Sequence, residues 1–140
     1  MNVDLAKAAP TSASLVASFL FVDLVAFSKK STADQFAQKR VLTEIIQSGM
    51  AVIATRDYMI KDTGDGAWMG FVANPEHALY VALAISAACR PHTRDSALAR
   101  EDLRIGVNLG AVKQTLDFES RPNFIGDGIN VAKRVMDFAR

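Results

Sequence analysis

Residues 57–71 read D-Y-M-I-K-D-T-G-D-G-A-W-M-G-F, two runs with strand character around the turn Thr63-Gly64-Asp65-Gly66. Asp-Gly is a strong hairpin signal because both residues tolerate positive φ. The tip carries Lys61, Asp62 and Asp65, an unusual density of charge for a chain that is 50% hydrophobic. Taken alone, such a tip is a solvated turn. A second stretch changes its meaning. Residues 19–31, F-L-F-V-D-L-V-A-F-S-K-K-S, form an almost continuous apolar run around one carboxylate, Asp23. Strands this apolar are buried on both faces, and a buried carboxylate without a partner is costly. A divalent cation would resolve that cost. Two aspartates, one on a central strand and one on an adjacent hairpin, are the minimum set for holding Mg²⁺ against a nucleotide's phosphates.

Composition narrows the remaining choices. A chain of 140 residues makes one domain with room for a hydrophobic core. With 22% charged residues and a net charge of +1 it is neither disordered nor basic enough to suggest a nucleic-acid partner. The single cysteine, Cys89, lies in an apolar setting and can form no internal disulfide, which fits a reducing, cytoplasmic location. The apolar stretch from Ala13 to Val22 is interrupted by Asp23 and too short to cross a bilayer. Phe27-Ser28-Lys29-Lys30 has no cleavage-site character, so the expectation is a soluble protein without membrane contact.

Outward from these stretches, the chain reads as alternating elements. Residues 1–17 form a flexible lead-in. A strand follows over about Ser18–Phe27, then a helix capped by Ser31 or Thr32 and running to about Ala54. Hairpin strands near 57–62 and 66–72 come next. Asn74-Pro75-Glu76 then opens a helix that runs to about Arg90, closed by Pro91 and a polar connection over 91–101. A strand over about Asp102–Val112, an extended run to about Ile125 and a helix over about Asp127–Arg140 complete the order β-α-β-β-α-β-β-α. That order predicts an α+β fold: a ferredoxin-like antiparallel sheet with the helices packed on one face. Trp68 and Phe71 belong to the core. His77 and His92 have no partner at ligand spacing.

Two further stretches complete a set of four: R-I-G-V-N-L-G-A-V at 104–112 and N-F-I-G-D-G-I-N-V-A-K-R at 123–134. In this order and spacing the set resembles the class III nucleotidyl cyclase catalytic domain, the adenylyl and guanylyl cyclase family, over residues 18–140. The resemblance implies a domain that is C-terminally incomplete, because the family continues into further strands carrying a phosphate-binding lysine. It implies that Asp23 and Asp65 hold two Mg²⁺ or Mn²⁺ ions. Lys61 falls on the base-selecting lysine and Asn123 on the second base-selecting position. Asn130 falls on the asparagine that orients the ribose, and Arg134 on the arginine that stabilises the transition state. At i, i+4, Asn130 and Arg134 share one helix face. Arg104, at the start of its strand, reads as structural.

The family's site lies between two chains, so the resemblance also implies a homodimer. A lysine can donate to adenine N1, whereas guanine N1 carries a hydrogen, which favours ATP over GTP. Asn123 departs from the usual Asp or Thr, and its amide can serve either base. The resulting expectation is an adenylate cyclase. A guanylate cyclase and a cyclase-like module without turnover stand as the alternatives. A diguanylate cyclase is disfavoured because the hairpin carries no Gly-Gly-Asp/Glu-Glu-Phe signature.

Overall fold

The computed structural model describes residues 12–54, 56–89 and 97–139. Strand β1 (Leu15–Leu24) is followed by helix α1 (Thr32–Met50), the hairpin of β2 (Tyr58–Asp62) and β3 (Gly66–Phe71), and helix α2 (Glu76–Cys89). Strand β4 (Leu103–Leu116), strand β5 (Pro122–Ile125) and helix α3 (Asp127–Asp137) complete the order expected from the sequence. The five strands form one sheet in the order β2-β3-β1-β4-β5, and every neighbouring pair is antiparallel.

Local chemistry sets the element ends. Ser31 caps α1 by accepting from the Asp34 amide at 3.2 Å, and Asn74 Oδ1 accepts from the Glu76 amide at 3.0 Å where α2 begins. These side-chain oxygens satisfy amides that have no partner within the helix. β1 stops at Leu24 rather than near Phe27, because Ala26 takes a left-handed φ of 54° and a 3₁₀ turn follows over Phe27–Lys29. α1 stops at Met50 rather than near Ala54, its last turn tightening through bonds from Val52 to Gly49 and from Ile53 to Met50. β4 runs on to Leu116, where Asp117 nucleates the turn into β5. Residues 1–11, the expected helix end at Arg90, Pro91, His92 and the connection as far as Ser96 lie outside the described residues.

β1 is the centre of the molecule, with eight consecutive buried residues from Ala17 to Leu24. Alternation along it sends Leu20, Val22 and Leu24 into one core with Leu42 and Ile45 of α1, Val81 and Ile85 of α2, and Met69 and Phe71 of β3. Phe19 and Phe21 point the other way, into a second core with Trp68, Phe124 and the α3 residues Ala132 and Met136. The class expected from the sequence holds, and its one-face placement describes α1 and α2. α3 lies on the opposite face. The physical reason is in β4, where Gly106, Asn108 and Gly110 alternate onto that face opposite Phe21, Phe19 and Ala17. A Cβ on Gly106 would stand 2.6 Å from the Met136 Cα, and one on Gly110 would stand 2.7 Å from the Gly128 Cα. Asn108 fills the space between them and donates to the Gly128 carbonyl at 3.1 Å. Backbone packs on backbone there, and only glycine permits it.

Gly106→Ala should therefore lower stability by about 1–3 kcal/mol, the usual cost of overpacking a tight contact. Urea unfolding followed by circular dichroism measures it. An unchanged midpoint would mean that α3 does not lie on β4 as described.

Candidate functional site

The α3 face of the sheet carries the polar groups singled out in the sequence. Asp23 is opposite Gly66 on β3 and opposite Arg104 on β4. One row further along, Lys61 on β2 pairs with Trp68, which pairs with Phe21. Period-2 alternation puts Asp23, Lys61 and Arg104 on the same side. Gly66 lets the hairpin approach β1 closely, since a Cβ there would lie 2.7 Å from the Asp23 Cα. The Leu24 amide donates to the Asp65 carbonyl at 2.9 Å, which continues the ladder into the turn and sets Asp65 beside Asp23.

Asp23 is 9% exposed and it has a partner. Arg104 Nε donates to Oδ1 at 2.9 Å and Nη2 to Oδ2 at 2.7 Å, a bidentate fork that engages both carboxylate oxygens. In the sequence Asp23 has no visible partner, and a metal is the expected one. In the structure Arg104 supplies the charge. Hydrogen bonds to Asp23 push the guanidinium further above its ordinary pKa, helped by the charges of Asp23, Asp137 and Asp65. Arg104, read from the sequence as structural, is thus in direct contact with a site residue. Only strand register could have revealed this, because 81 residues separate the pair.

The hairpin tip is held from α1. Lys39 Nζ donates to both oxygens of Asp62, at 2.7 and 2.8 Å, and to the Gly64 carbonyl at 3.0 Å. The Gly64 amide donates to Asp62 Oδ1 at 2.7 Å, and Gly64 has a φ of 89°. Hydrogen bonding from Lys39 and then from Gly64 holds the Asp62 carboxyl below its ordinary pKa.

Between hairpin, sheet and α3 lies a cavity of about 640 Å³. Asp23, Thr63 and Asp65 line one side, and Asn123, Asn130 and Lys133 line the other. Trp68, 9% exposed, belongs to the second core and also contributes to the cavity wall. Four of the six sequence-derived site residues therefore meet in one chain. Lys61 and Arg134 are not in the lining. Arg134 is exposed, and it is Lys133 that α3 presents to the cavity, at i, i+3 from Asn130.

Lys61 points to the β4–β5 turn, where its Nζ donates to Asp117 Oδ2 at 2.9 Å. This contact joins opposite edges of the sheet. It forms because the β4–β5 hairpin curls over the α3 face, laying the Phe124 ring against Phe19 and above Gly70. Asp117 also accepts from the amides of Glu119 and Arg121, both at 2.9 Å, and from Arg121 Nε at 3.3 Å. Asp117 had a legible signal, an Asp opening a short polar turn. The position of Lys133 depended on the rotation of α3, which sequence does not give.

Chemically, the cavity offers hard oxygen donors. Among the described residues, no group of three or more His, Cys, Asp or Glu side chains converges on a metal-sized site. Two carboxylates fit Mg²⁺ or Mn²⁺ all the same, since Mg²⁺ in phosphate chemistry takes one or two carboxylates and fills its shell with water and phosphate oxygens.

Asp117 yields a pH prediction. The amide of Arg121, then Lys61, then the amide of Glu119 hold its carboxyl well below the usual carboxylate range. Its folded pKa lies below its unfolded one, so the stability it contributes is full above about pH 5 and is lost as pH falls below about 4. Wild type should therefore lose more stability on acidification than Asp117→Asn, measured as urea midpoints across that range. Parallel acid curves would remove Asp117 as the pin of the turn.

No protein-family model matches the chain, and no curated protein sequence matches it. Solved structures do. An adenylate/guanylate cyclase/hydrolase from Silicibacter pomeroyi is 27% identical, with a TM-score of 0.68 over 92% of this chain and 73% of that one. The guanylate cyclase domain of a Catenaria anguillulae protein, in complex with GTP, is 22% identical, with a TM-score of 0.65 over 92% of this chain and 76% of that one. A bacterial light-regulated adenylyl cyclase is 18% identical, with a TM-score of 0.67 over 89% of this chain and 70% of that one. Over most of its length, the chain has the fold of the class III adenylyl and guanylyl cyclase catalytic domains.

Proposed function

We propose that the chain is a nucleotidyl cyclase that converts ATP to cyclic AMP and pyrophosphate as a homodimer, with two Mg²⁺ or Mn²⁺ ions. The observation that carries this reading is the cavity on the α3 face of the sheet, whose lining includes Asp23, Asp65, Asn123 and Asn130. The reaction joins the ribose 3′-oxygen to the α-phosphorus and breaks the bond from the α-phosphorus to the bridging oxygen, which leaves with pyrophosphate. The 3′-hydroxyl proton passes to solvent. Divalent ions bound by Asp23 and Asp65 would lower the pKa of that hydroxyl and offset charge on the leaving oxygens.

The chain's own residues do the rest. Asn130, in the first turn of α3, orients the ribose, and Arg134, one turn on, meets the charge that develops at the α-phosphate. Lys61 donates to adenine N1, and Asn123 takes the other base contact. Lys61 and Arg134 lie outside the cavity of a single chain, and the reading draws Lys61, Asn123, Asn130 and Arg134 from one copy and the two aspartates from the other. That placement favours a dimer over a monomer as the active species. No helix among the described residues is long and apolar enough to cross a membrane.

One observation favours GTP as a second reading. Asn123 Oδ1 accepts from the Phe124 amide at 3.0 Å, so the NH₂ is the group of this side chain that would serve a base. A donor at that position suits the guanine carbonyl.

The test is turnover with Mn²⁺ and either ATP or GTP. Cyclic AMP is expected from wild type, none above background from Asp23→Asn, and a loss of about 100- to 1,000-fold in kcat from Arg134→Ala. Cyclic GMP alone would move the base assignment to the second reading. No product from a folded dimer would leave a cyclase-like module without turnover.

A further inference from the structure

Arg104 stands between two carboxylates on different elements. Its fork on Asp23 is short on both arms, and the same Nη2 lies 3.9 Å from Asp137 Oδ1, at the end of α3. Neither end of this arrangement is locked. The Arg104 side chain is 28% exposed, and that of Asp137 is 50% exposed. Among the described residues Asp137 has no other hydrogen bond or ion pair, so it is an acceptor in reserve. It is also the last residue of α3, where the partial negative charge of the helix end favours a cation.

A divalent ion at Asp23 needs a carboxylate oxygen that the fork already uses, and it repels the guanidinium that supplies the fork. We propose that Arg104 is a two-position latch, closed on Asp23 in the metal-free chain and turned to Asp137 when a divalent cation takes Asp23. The inference rests on the metal reading of Asp23 given above and goes beyond it in two respects. Metal binding is weakened by the chain's own cation, and occupancy of the sheet end is communicated to α3, the helix that carries Asn130 and Arg134. Arg104 is in this sense a positioning residue, acting through Asp23. Its second position is near at hand, since Nη2 already lies 3.9 Å from Asp137 Oδ1.

The experiment is a Mn²⁺ titration of the nucleotide-free chain, with free Mn²⁺ read by electron paramagnetic resonance and folding checked by circular dichroism. Arg104→Gln should bind Mn²⁺ about tenfold more tightly than wild type, the scale on which groups around a ligand tune metal affinity. Arg104→Lys, which keeps the charge and loses the fork, should fall between them, and it serves if the glutamine variant does not fold. Asp137→Asn should weaken binding severalfold in wild type and change nothing in the Arg104→Gln background. An unchanged affinity in both Arg104 variants would overturn the latch. So would an Asp137→Asn effect of equal size in both backgrounds, since Asp137 would then act as a distant charge. Asp23→Asn keeps the two readings apart: if it binds Mn²⁺ as wild type does, the metal assignment itself falls, and the latch with it.

Discussion

A carboxylate at the end of a strand buried on both faces is the constraint from which the rest of the molecule can be argued. A carboxylate left there without a partner is costly, because nothing replaces the water it gives up. The fork from Arg104 gives both oxygens of Asp23 a charged donor, and the fork exists only because β4 pairs with β1 in the register that sets the two residues opposite each other. That register also lines up Gly106 with Phe21 and Asn108 with Phe19. The same pairing that settles the charge thus prepares the bed on which α3 lies.

The two faces of the sheet divide the work. Under α1 and α2 the contacts are apolar side chains, which tolerate exchange among residues of similar volume. Under α3 the contact is closer and more exacting, backbone against backbone at Gly106, Gly110 and Gly128. A helix seated that closely has little freedom to shift, so the groups it presents to the cavity, Asn130 and Lys133, keep their distance from the hairpin that carries Asp65. Lys39, reaching from α1, fixes that hairpin from behind. Rigidity on both sides of a cavity is what an orienting site requires.

Much of this was legible in the sequence, and the limits have physical causes. The element order could be read because each element has a local signature: the apolar run around Asp23, the Asp-Gly turn, the Asn-Pro-Glu helix start. Asp23, Asp65, Asn123 and Asn130 could be grouped because family spacing stands in for geometry. What could not be read was anything set by register or rotation. Arg104 looked structural because its partner is 81 residues away, and that Lys133 faces the cavity of the single chain was hidden because neighbouring helix positions differ by about 100° of rotation. The side of the sheet that α3 occupies was hidden for a related reason. Strands are marked by the side chains they bury, whereas this contact is marked by side chains that are missing. Asp117 is the exception, since a turn-forming aspartate was in plain view within a stretch read as extended.

The position of β1 also governs how the chain comes together in time. It precedes the other described strands in the chain, it has apolar residues on both faces, and its two ladder partners lie at residues 66–71 and 103–116. Pairings of such long sequence separation are slow to form, because the intervening loops must close first. A nascent chain therefore carries an uncovered, aggregation-prone strand until β4 has left the ribosome. Asp23 is the one charge within that strand, and before β4 arrives it has no arginine beside it. An unpaired carboxylate is a poor element of any intermolecular sheet. The residue that later faces the cavity therefore also makes β1 a poor partner for a second chain while its own ladder is incomplete.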